Sequence, residues 1–132
     1  MLMDYLVHIL EYLVLQYGIQ DPTNVILVTR EMLKNAAIHG NKNNQSRSVI
    51  CRLKHLEGSL FRIEVEDEGD GFDYEHLDLK LPENPRHIDS RGYILINALS
   101  DRIDFNRKGN CVTVLVNAVD HLENENYYKE QQ

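Results

Sequence analysis

The segment VTREMLKNAAIHGN, residues 28 to 41, combines the apolar spacing of an α-helix with three polar residues at four-residue intervals. Glu31, Asn35 and His39 therefore form one stripe along the predicted helix, and each step drifts by about 40° around the axis. On an arbitrary helix, such a stripe is most simply a solvated face. Because this stripe aligns an acid, an amide and an imidazole, a binding site is the competing interpretation, and motifs elsewhere in the chain must decide.

The boundaries of this helix follow from its capping residues. Asp21 has a side chain that can cap the first turn, and Pro22 suits the first helical position, where no amide hydrogen is needed. Gly40 favours the left-handed conformation that often follows a helix, so we predict that the helix ends at His39. Its apolar residues form a separate stripe that is expected to face the core, comprising Ile26, Leu33 and Ala37 with Val25, Met32 and Ala36 beside them.

The N-terminal segment MLMDYLVHILEYLVLQYG, residues 1 to 18, also has helical apolar spacing. It lacks a basic region and is interrupted by Asp4, His8 and Glu11, so we do not expect a signal peptide, and it is too short and too charged for us to expect a membrane span. We predict an amphipathic helix that stops near Gly18. The side chains expected to face the core are Leu6, Leu10, Leu13, Val14 and Tyr17.

After the polar loop NKNNQSRS, the hydrophobic pattern changes to a period of two residues. Residues 49–56 and 60–67 are predicted as strands, and Glu57-Gly58-Ser59 between them predicts a tight hairpin turn. In the second strand, apolar and charged residues alternate, so one side of the strand faces the core. The core-facing residues of that strand are Phe61, Ile63 and Val65.

Asp67 falls on the same side of the second strand as those core-facing residues. An inward carboxylate is costly unless a partner binds it, so we expect Asp67 to contact a ligand, with an acidic turn as the plain alternative. Gly69 and Gly71 follow in an Asp-x-Gly-x-Gly pattern, which allows the backbone to turn sharply beside a ligand. The next segment, about 73–90, is polar and contains two prolines. A connection of this length is predicted to act as a lid.

The last part of the chain is predicted to contain one helix and a second hairpin. Residues 91–101 have helical spacing, and residues 102–107 and 111–118 have the pattern of strands joined by a turn at Lys108-Gly109-Asn110. A polar tail covers about 119–132. We therefore predict that the whole chain is one α+β domain, a two-layer α/β sandwich with helices on one face of a mostly antiparallel mixed sheet.

The composition excludes several classes of protein. The chain has 132 residues, of which 42% are hydrophobic, and a net charge of −7, which opposes binding to nucleic acid. Cys51 and Cys111 do not form a C-x-x-C motif, so we predict core thiols in a reducing, cytoplasmic compartment and no zinc site. The other histidines share no metal-ligand spacing, namely His8, His55, His76, His87 and His121.

Three motifs occur in order along the chain, namely Glu31-x-x-x-Asn35-x-x-x-His39-Gly40-Asn41, Asp67-x-Gly69-x-Gly71 and Ser90-Arg91-Gly92-Tyr93-Ile94-Leu95-Ile96. This order resembles the nucleotide-binding superfamily of DNA gyrase, the heat-shock chaperone ATPase, histidine kinases and mismatch-repair ATPases, which has a Bergerat-type ATP-binding fold. The NAAIHGN segment and the chain length are most similar to bacterial anti-sigma factors of the serine-protein kinase type. The resemblance covers about residues 5 to 117.

The resemblance implies ATP and Mg²⁺ as cofactors. Asn35 would coordinate Mg²⁺ that bridges the nucleotide phosphates, and Glu31 would be the general base that takes the proton from a partner's serine hydroxyl. Asp67 would accept a hydrogen bond from the adenine amino group.

The same resemblance implies roles for Gly69, Gly71, Arg91, Gly92 and His39. Gly69 and Gly71 would let the base lie against the backbone, while the Arg91-Gly92 turn would open the third helix, whose N-terminal amides could hold phosphate. For His39 two interpretations stay open, since it would either contact phosphate or the lid, or cap the end of its helix.

The implied function is that of an ATP-binding anti-sigma regulatory factor with serine/threonine-protein kinase activity toward an anti-anti-sigma antagonist, in a partner-switching circuit that regulates transcription. The expected partners are a sigma factor, the antagonist or both, and a homodimer is possible by analogy. We expect neither nucleic acid nor a membrane as a partner. The alternative is a degenerate, non-catalytic ATPase-fold module that regulates by binding a protein partner. A third interpretation is the catalytic domain of a histidine kinase. It is weaker than the other two, because we expect no preceding segment with a phospho-acceptor histidine.

Three features depart from the family pattern. The chain has Ser90-Arg91-Gly92 where Gly-x-Gly is usual, and Gly109-Asn110 where Gly-Thr is usual. It also begins almost directly in the first helix, where relatives usually begin with a strand. The first helix and an open sheet edge are therefore candidate interaction surfaces.

Overall fold

The computed structural model describes residues 2–71, 74 and 91–118. The predicted lid, apart from Tyr74, and the predicted tail lie outside the described residues. The elements are α1 (Leu2–Leu15), α2 (Thr23–Asn35), β1 (Ile50–Glu57), β2 (Leu60–Glu66), α3 (Arg91–Leu99), β3 (Arg102–Phe105) and β4 (Cys111–Asn117). A π-helical turn at Ala36–Gly40, called the π turn below, continues α2 directly.

The described strands form one four-stranded sheet in the order β1-β2-β4-β3. All three pairings are antiparallel, and the register places Ile63 opposite Val114, and Val114 opposite Ile103. Both predicted hairpins are present, and Gly58 in the first turn has a φ of 55°, a value that glycine adopts without strain. The prediction of an α+β fold with helices packed on an antiparallel sheet is confirmed.

The hydrophobic core lies between the helices and one face of the sheet. The alternation in β2 has the predicted effect, because Phe61, Ile63 and Val65 are all buried. Val114 and Val116 of β4 are buried beside them. Each such side chain stabilises the fold by about 1.5–3 kcal/mol through its removal from water. The helices contribute Leu10, Val14, Val25, Val28, Met32, Leu33, Ala36 and Ile96 to this core.

The core-facing side of α1 is narrower than predicted. Leu10 and Val14 are buried, but Leu6, Leu13 and Tyr17 are exposed, so the prediction for these three residues is wrong. The physical reason is that apolar residues occupy two sides of α1, and only one of those sides packs into the core. Tyr17 instead stacks on His55 of β1, with ring centroids 4.4 Å apart.

The start of α2 agrees closely with the capping prediction. The Thr23 amide donates a hydrogen bond to Asp21 Oδ1 over 3.0 Å, which satisfies one of the free amides of the first turn. Pro22 precedes the first helical residue by one position and does not occupy it. Pro22 is thus the N-cap residue, and Asp21 binds the first turn from the position before it.

The end of this helix differs from the prediction. Gly40 does not have a left-handed conformation, and the residues with positive φ are Lys42 at 54° and Asn43 at 58°. The reason is the π turn, in which the Asn41 amide donates to the Ala36 carbonyl over 2.8 Å, five residues earlier. The wide turn delays the chain reversal beyond Gly40. Such turns are rare and occur frequently at functional sites.

The two cysteines have different environments. Cys51 on the edge strand β1 is exposed, so the prediction that it is a core thiol is wrong, because the helices do not cover that strand fully. Cys111 is buried, and its Sγ lies 3.5 Å from Glu64 Oε1. Burial and the neighbouring Glu64 carboxylate raise the pKa of the Cys111 thiol to about 11. Among the described residues, no helix is long and apolar enough to cross a membrane.

Candidate functional site

A cavity of about 360 Å³ opens between the helix layer and the sheet. Its volume is within the range of small-molecule sites, and its wall is mostly apolar with a few polar groups, as such sites commonly are. The apolar part comes from α2, β2 and β4, and the polar part from the ends of α2 and β2. The lining residues are Met32, Asn35, Ala36, His39, Gly40, Val65, Asp67, Gly71, Tyr93, Gly109 and Val112.

Four of the predicted site residues line this cavity, namely Asn35, His39, Asp67 and Gly71. Glu31 is half-buried one turn before Asn35 and is not part of the lining. Gly69 is buried and packs against the π turn instead. Arg91 and Gly92 are the first two residues of α3, as predicted, and their side chains lie outside the described part of the structure.

Asn35 carries an unsatisfied amide group at the cavity wall. Its Nδ2 atom is buried and has no hydrogen-bond partner, a property that only Ser100 Oγ shares among the described side chains. A buried donor without a partner costs about 1–3 kcal/mol, so native structures rarely retain one without a reason. A polar ligand in the cavity would supply the missing partner.

Asp67 follows the last residue of β2 and is half-buried in the cavity wall. Burial raises the pKa of its carboxyl group above the ordinary value, although the Gly69 amide donates to Oδ1 over 2.7 Å and opposes that shift. Lys108 and Arg47 also lower the Asp67 pKa through their charges. Oδ1 is thus held by the backbone, while the carboxylate keeps acceptor capacity for a donor in the cavity.

Asn110, on the turn before β4, fixes the backbone of Asp67. The Asp67 amide donates to the Asn110 carbonyl over 2.9 Å, and Asn110 Nδ2 donates to the Asp67 carbonyl over 2.9 Å. Asn106 organises the same turn, because its Oδ1 accepts from the amides of Gly109, Asn110 and Cys111. The sequence analysis noted Asn110 only as a departure from the family pattern and missed Asn106. The asparagine at the start of a short turn was the available signal.

Three glycines allow the site's segments to approach one another. A Cβ atom on Gly40 would lie 2.1 Å from Asp67 Oδ2, and a Cβ on Gly69 would lie 2.1 Å from the Gly40 carbonyl oxygen. A Cβ on Gly71 would lie 1.8 Å from the Lys108 carbonyl oxygen. These distances are far below van der Waals contact, so the π turn, the end of β2 and the β3–β4 turn meet at positions that only glycine permits.

Asn41, directly after the π turn, links that turn to the segment after β2. Its side chain is buried, donates to the Ser48 carbonyl over 3.0 Å and accepts from the Glu68 amide over 2.8 Å. Glu68 Oε2 accepts in turn from the Ser48 amide over 2.7 Å. Asn41 is therefore a structural residue with a satisfied amide, whereas Asn35, six positions earlier, is not satisfied.

Tyr93 of α3 forms the remaining polar part of the wall, and the sequence analysis gave this residue no role of its own. Burial and the nearby Asp67 carboxylate raise the pKa of Tyr93 to about 12, so the phenol keeps its proton at neutral pH. The centroid of the Tyr93 ring lies 5.9 Å from that of the Phe105 ring. The Tyr74 ring also stacks on Phe105, with 4.9 Å between the ring centroids. An aromatic cluster thus borders the cavity, where a planar ligand could pack.

The site can therefore bind a ligand that is partly apolar and partly polar. Its wall presents a carboxylate acceptor at Asp67 with apolar neighbours, and it also presents Asn35 and the exposed His39. No group of three or more His, Cys, Asp or Glu side chains that could hold a metal ion occurs within the described residues. A divalent cation at Asn35 would need most of its ligands from water and from an anionic ligand, which is how Mg²⁺ is commonly bound.

The chain belongs to the histidine kinase-like ATPase domain family, whose sequence profile matches residues 9–121. The histidine kinase domain of a blue-light activated histidine kinase from Erythrobacter litoralis EL346 has a similar fold, with a TM-score of 0.53 and 21% identity over 72% of this chain and 43% of that one. A second structure of that kinase matches with a TM-score of 0.53 and 22% identity, over 76% of this chain and 31% of that one. This chain therefore spans less than half the length of either structure. No curated protein sequence matches it significantly.

Proposed function

We propose that this protein binds ATP with Mg²⁺ and acts as an anti-sigma regulatory factor with serine/threonine-protein kinase activity toward an anti-anti-sigma antagonist. The observation that carries the proposal is the pairing of two groups on one cavity. The unsatisfied amide of Asn35 and the half-buried carboxylate of Asp67 both line a cavity of about 360 Å³. A nucleotide has the matching chemistry, because its base offers a donor and its phosphates carry a cation.

The part of the cavity around Asp67 suits an adenine base. The carboxylate would accept a hydrogen bond from the exocyclic amino group, and the apolar side chains of Val65 and Val112 would contact the ring. An acceptor that is fixed by Gly69 and flanked by apolar groups discriminates well, since a base without that donor leaves it unpaired. Gly71 would let the base approach the backbone.

The part of the cavity around Asn35 suits phosphate and its cation. Asn35 would hold Mg²⁺ through its side-chain carbonyl, and the bound ion would supply charge neutralisation to the phosphates. His39, Arg91 and Gly92 would lie on the phosphate side as the resemblance implies. Because phosphoryl transfer depends mainly on positioning and charge stabilisation, few protein groups are needed for the chemistry itself.

Glu31 would act as the general base for the transfer. It lies one helical turn before Asn35, and its carboxylate would take the proton of a hydroxyl on an incoming protein. A positioned base contributes about 10²–10⁴-fold in rate. The phosphate on the antagonist's serine or threonine would then weaken its binding by adding charge to a packed interface.

The test begins with calorimetric titration of the protein with ATP, with and without Mg²⁺, alongside Asn35→Ala and Asp67→Ala. Binding in the micromolar range, about −8 kcal/mol, that requires Mg²⁺ and fails in both variants supports the nucleotide site. The second step is transfer of radiolabelled phosphate from ATP to serine or threonine of a protein in extract of the source organism. Glu31→Ala should abolish that transfer while ATP binding stays near the wild-type value.

A second candidate is a non-catalytic module that regulates only by binding a protein partner. The observation that favours it is the position of Glu31, which the cavity lining does not include. In that case, wild-type protein transfers no phosphate, and Asn35→Ala leaves the affinity for the partner unchanged. Transfer that depends on Glu31 would exclude this candidate.

A further inference from the structure

The strand β1 forms one edge of the described sheet. It has 8 residues with no proline or glycine, and within the described part of the chain it pairs on one side only, with β2. Backbone amides of an antiparallel strand point alternately toward and away from the neighbouring strand, so about half of the β1 amides face outward. The opposite edge strand, β3, has only 4 residues and is a much shorter template.

Lys54 of β1 and Arg62 of β2 lie side by side on the outer face of the sheet, the face turned away from the core. The register places the two residues directly opposite each other, and both side chains are exposed. Arg62 points outward because its neighbours along the strand, Phe61 and Ile63, point into the core. Like charges directly opposite each other destabilise an antiparallel pair, so this arrangement has an unfavourable electrostatic energy.

Neither of these two cations has an ion-pair partner among the described residues. The carboxylates of the same face are taken by other arginines. Arg52 lies 3.5 Å from Glu64 and 3.4 Å from Glu66. Arg102 binds Asp104 over 2.6 Å. Although the chain has a net charge of −7, charges beyond about 8 Å are largely screened at physiological ionic strength, so an anion that approaches here is governed by the local cations.

The charge on this edge restricts which strand can pair with it. Two copies of β1 paired with each other would bring Arg52 and Lys54 of both copies together on one face, which like charges disfavour. A strand that carries a carboxylate at that position would be attracted instead. Lys54 therefore acts against a second copy and in favour of an acidic strand, and specific interfaces commonly combine such repulsion and attraction.

We propose that the free edge of β1 binds an extended acidic segment of a partner protein, which adds a strand to the sheet with a carboxylate opposite Lys54. Neighbouring strands lie about 4.8 Å apart, so the carboxylate contacts Lys54 directly, and Arg62 extends toward it from one strand further away. Main-chain hydrogen bonds supply affinity in this mode of recognition, and the side chains supply specificity. Ile50 lies on the same face and is 46% exposed, which offers an apolar contact beside the charge.

This inference does not rest on the proposed nucleotide chemistry, because no residue of β1 lines the cavity. The experiment is an NMR titration of the isotope-labelled full chain with an end-blocked peptide of sequence Val-Thr-Glu-Val-Thr-Thr-Val. Its counterpart has lysine in place of the glutamate. The glutamate peptide should bind with a Kd below about 1 mM, and the lysine peptide at least about 10-fold more weakly, because it places like charges together.

Hydrogen exchange locates the bound peptide. At saturation with the glutamate peptide, the β1 amides that point away from β2 should exchange at least about 10-fold more slowly, because they become hydrogen-bonded. The β1 amides that already bond to β2 should change less. Binding that leaves the exchange of the β1 amides unchanged would place the peptide elsewhere and overturn the proposal.

Lys54→Glu should reverse the preference, so that the lysine peptide binds more tightly than the glutamate peptide. The variant should remain folded, since it replaces a like-charge pair with an opposite-charge pair beside Arg62. Lys34→Glu on α2 is the matched control, because Lys34 is also exposed and the net charge changes equally. The control should keep the wild-type preference, and thermal unfolding checks both variants.

Three other outcomes would overturn the proposal. If neither peptide shifts any resonance up to about 1 mM, Lys54 only protects the edge from pairing. If the two peptides bind equally well, the edge does not select an acidic strand. If Lys54→Glu keeps the wild-type preference, the selection arises at another site.

Discussion

Asn110 is hydrogen-bonded to both ends of the Asp67 backbone. Its carbonyl accepts from the Asp67 amide, and its side-chain amide donates to the Asp67 carbonyl, each over 2.9 Å. Since the Gly69 amide holds Oδ1, three hydrogen bonds fix both the backbone and the carboxylate of Asp67. The turn before β4 therefore determines where the acceptor at the end of β2 points. The residue that replaces the usual threonine of the family pattern has a positioning role in this chain.

Asn110→Asp tests that role with almost no change in shape. The variant loses the donor to the Asp67 carbonyl and places an acceptor against it, so we expect the free energy of unfolding to fall by about 1–3 kcal/mol. ATP affinity should fall as well, because Asp67 loses its orientation. Urea unfolding and calorimetry measure the two effects.

Asn44→Asp is the control for Asn110→Asp, since it adds the same charge. Asn44 uses its side-chain oxygen to accept from Ser46, and aspartate keeps that oxygen. Its stability should stay within about 0.5 kcal/mol of the wild type. Equal ATP affinities for Asn110→Asp and the wild type would refute the positioning role.

Asn35 and Asn41 are expected to respond oppositely to alanine substitution. Asn35→Ala removes a buried donor without a partner, so stability should change by less than about 1 kcal/mol while Mg²⁺-dependent ATP binding is lost. Asn41→Ala removes two hydrogen bonds and leaves the Glu68 amide and Ser48 carbonyl without partners, so it should cost about 2–4 kcal/mol. Unfolding curves and ATP titrations of both variants check the contrast. A strongly destabilised Asn35→Ala would show that its amide is structural after all.

The glycines of the site should separate into two types. Gly40→Ala brings a Cβ against the Asp67 carboxylate, which must rotate away and weaken its hydrogen bond from the Gly69 amide, so ATP affinity should fall more than stability. Gly69→Ala brings a Cβ against a backbone carbonyl, which must shift, so it should destabilise the fold by about 2 kcal/mol or more.

Gly18→Ala is the control for these two variants. Gly18 has open space around it and a φ of 78°, so alanine there should cost about 1 kcal/mol through strain alone and leave ATP binding intact. Calorimetry and thermal unfolding measure the set. The interpretation fails if Gly40→Ala binds ATP as well as Gly18→Ala does.

The two hairpins of the sheet were predictable because their signals are local, whereas the pairing of β2 with β4 joins distant parts of the chain. Charged residues alternate with Phe61, Ile63 and Val65, and the two hairpins are closed by short turns around Gly58 and Gly109. Pairing of the two strands within a hairpin needs no information from distant parts of the chain. The helices were found for the same reason, since their periodicity and the Asp21 cap are contained within a few residues.

The parts that were missed depend on residues far apart in the chain. Asn110 bonds to Asp67 across 43 positions and Asn41 to Glu68 across 27, and no local pattern encodes such pairs. The π turn could not be distinguished from a regular helix end, because Gly40 is compatible with both. The exposed side of α1 was assigned to the core because hydrophobic periodicity reports apolar residues and does not report which of two apolar sides is covered.

Asp67→Asn should raise the free energy of unfolding at neutral pH and weaken the binding of ATP. Burial raises the pKa of Asp67 above its ordinary value of 3.8, so the folded state binds its proton more tightly than the unfolded state does. The folded state therefore loses stability as pH rises from about that ordinary value through the raised one, and the loss persists at neutral pH. Asparagine carries no charge to desolvate and keeps an oxygen for the Gly69 amide. The variant should thus unfold at higher urea concentration than wild type at pH 7, with the difference shrinking as the pH is lowered below 4.

Its amide presents a donor where the carboxylate presents only acceptors, so ATP binding should weaken at every pH. Urea titrations across this pH range, paired with calorimetry at pH 7, measure both effects. A variant that is less stable than wild type at neutral pH would contradict this prediction. It would mean that Lys108 and Arg47 stabilise the Asp67 charge in the fold more than burial destabilises it.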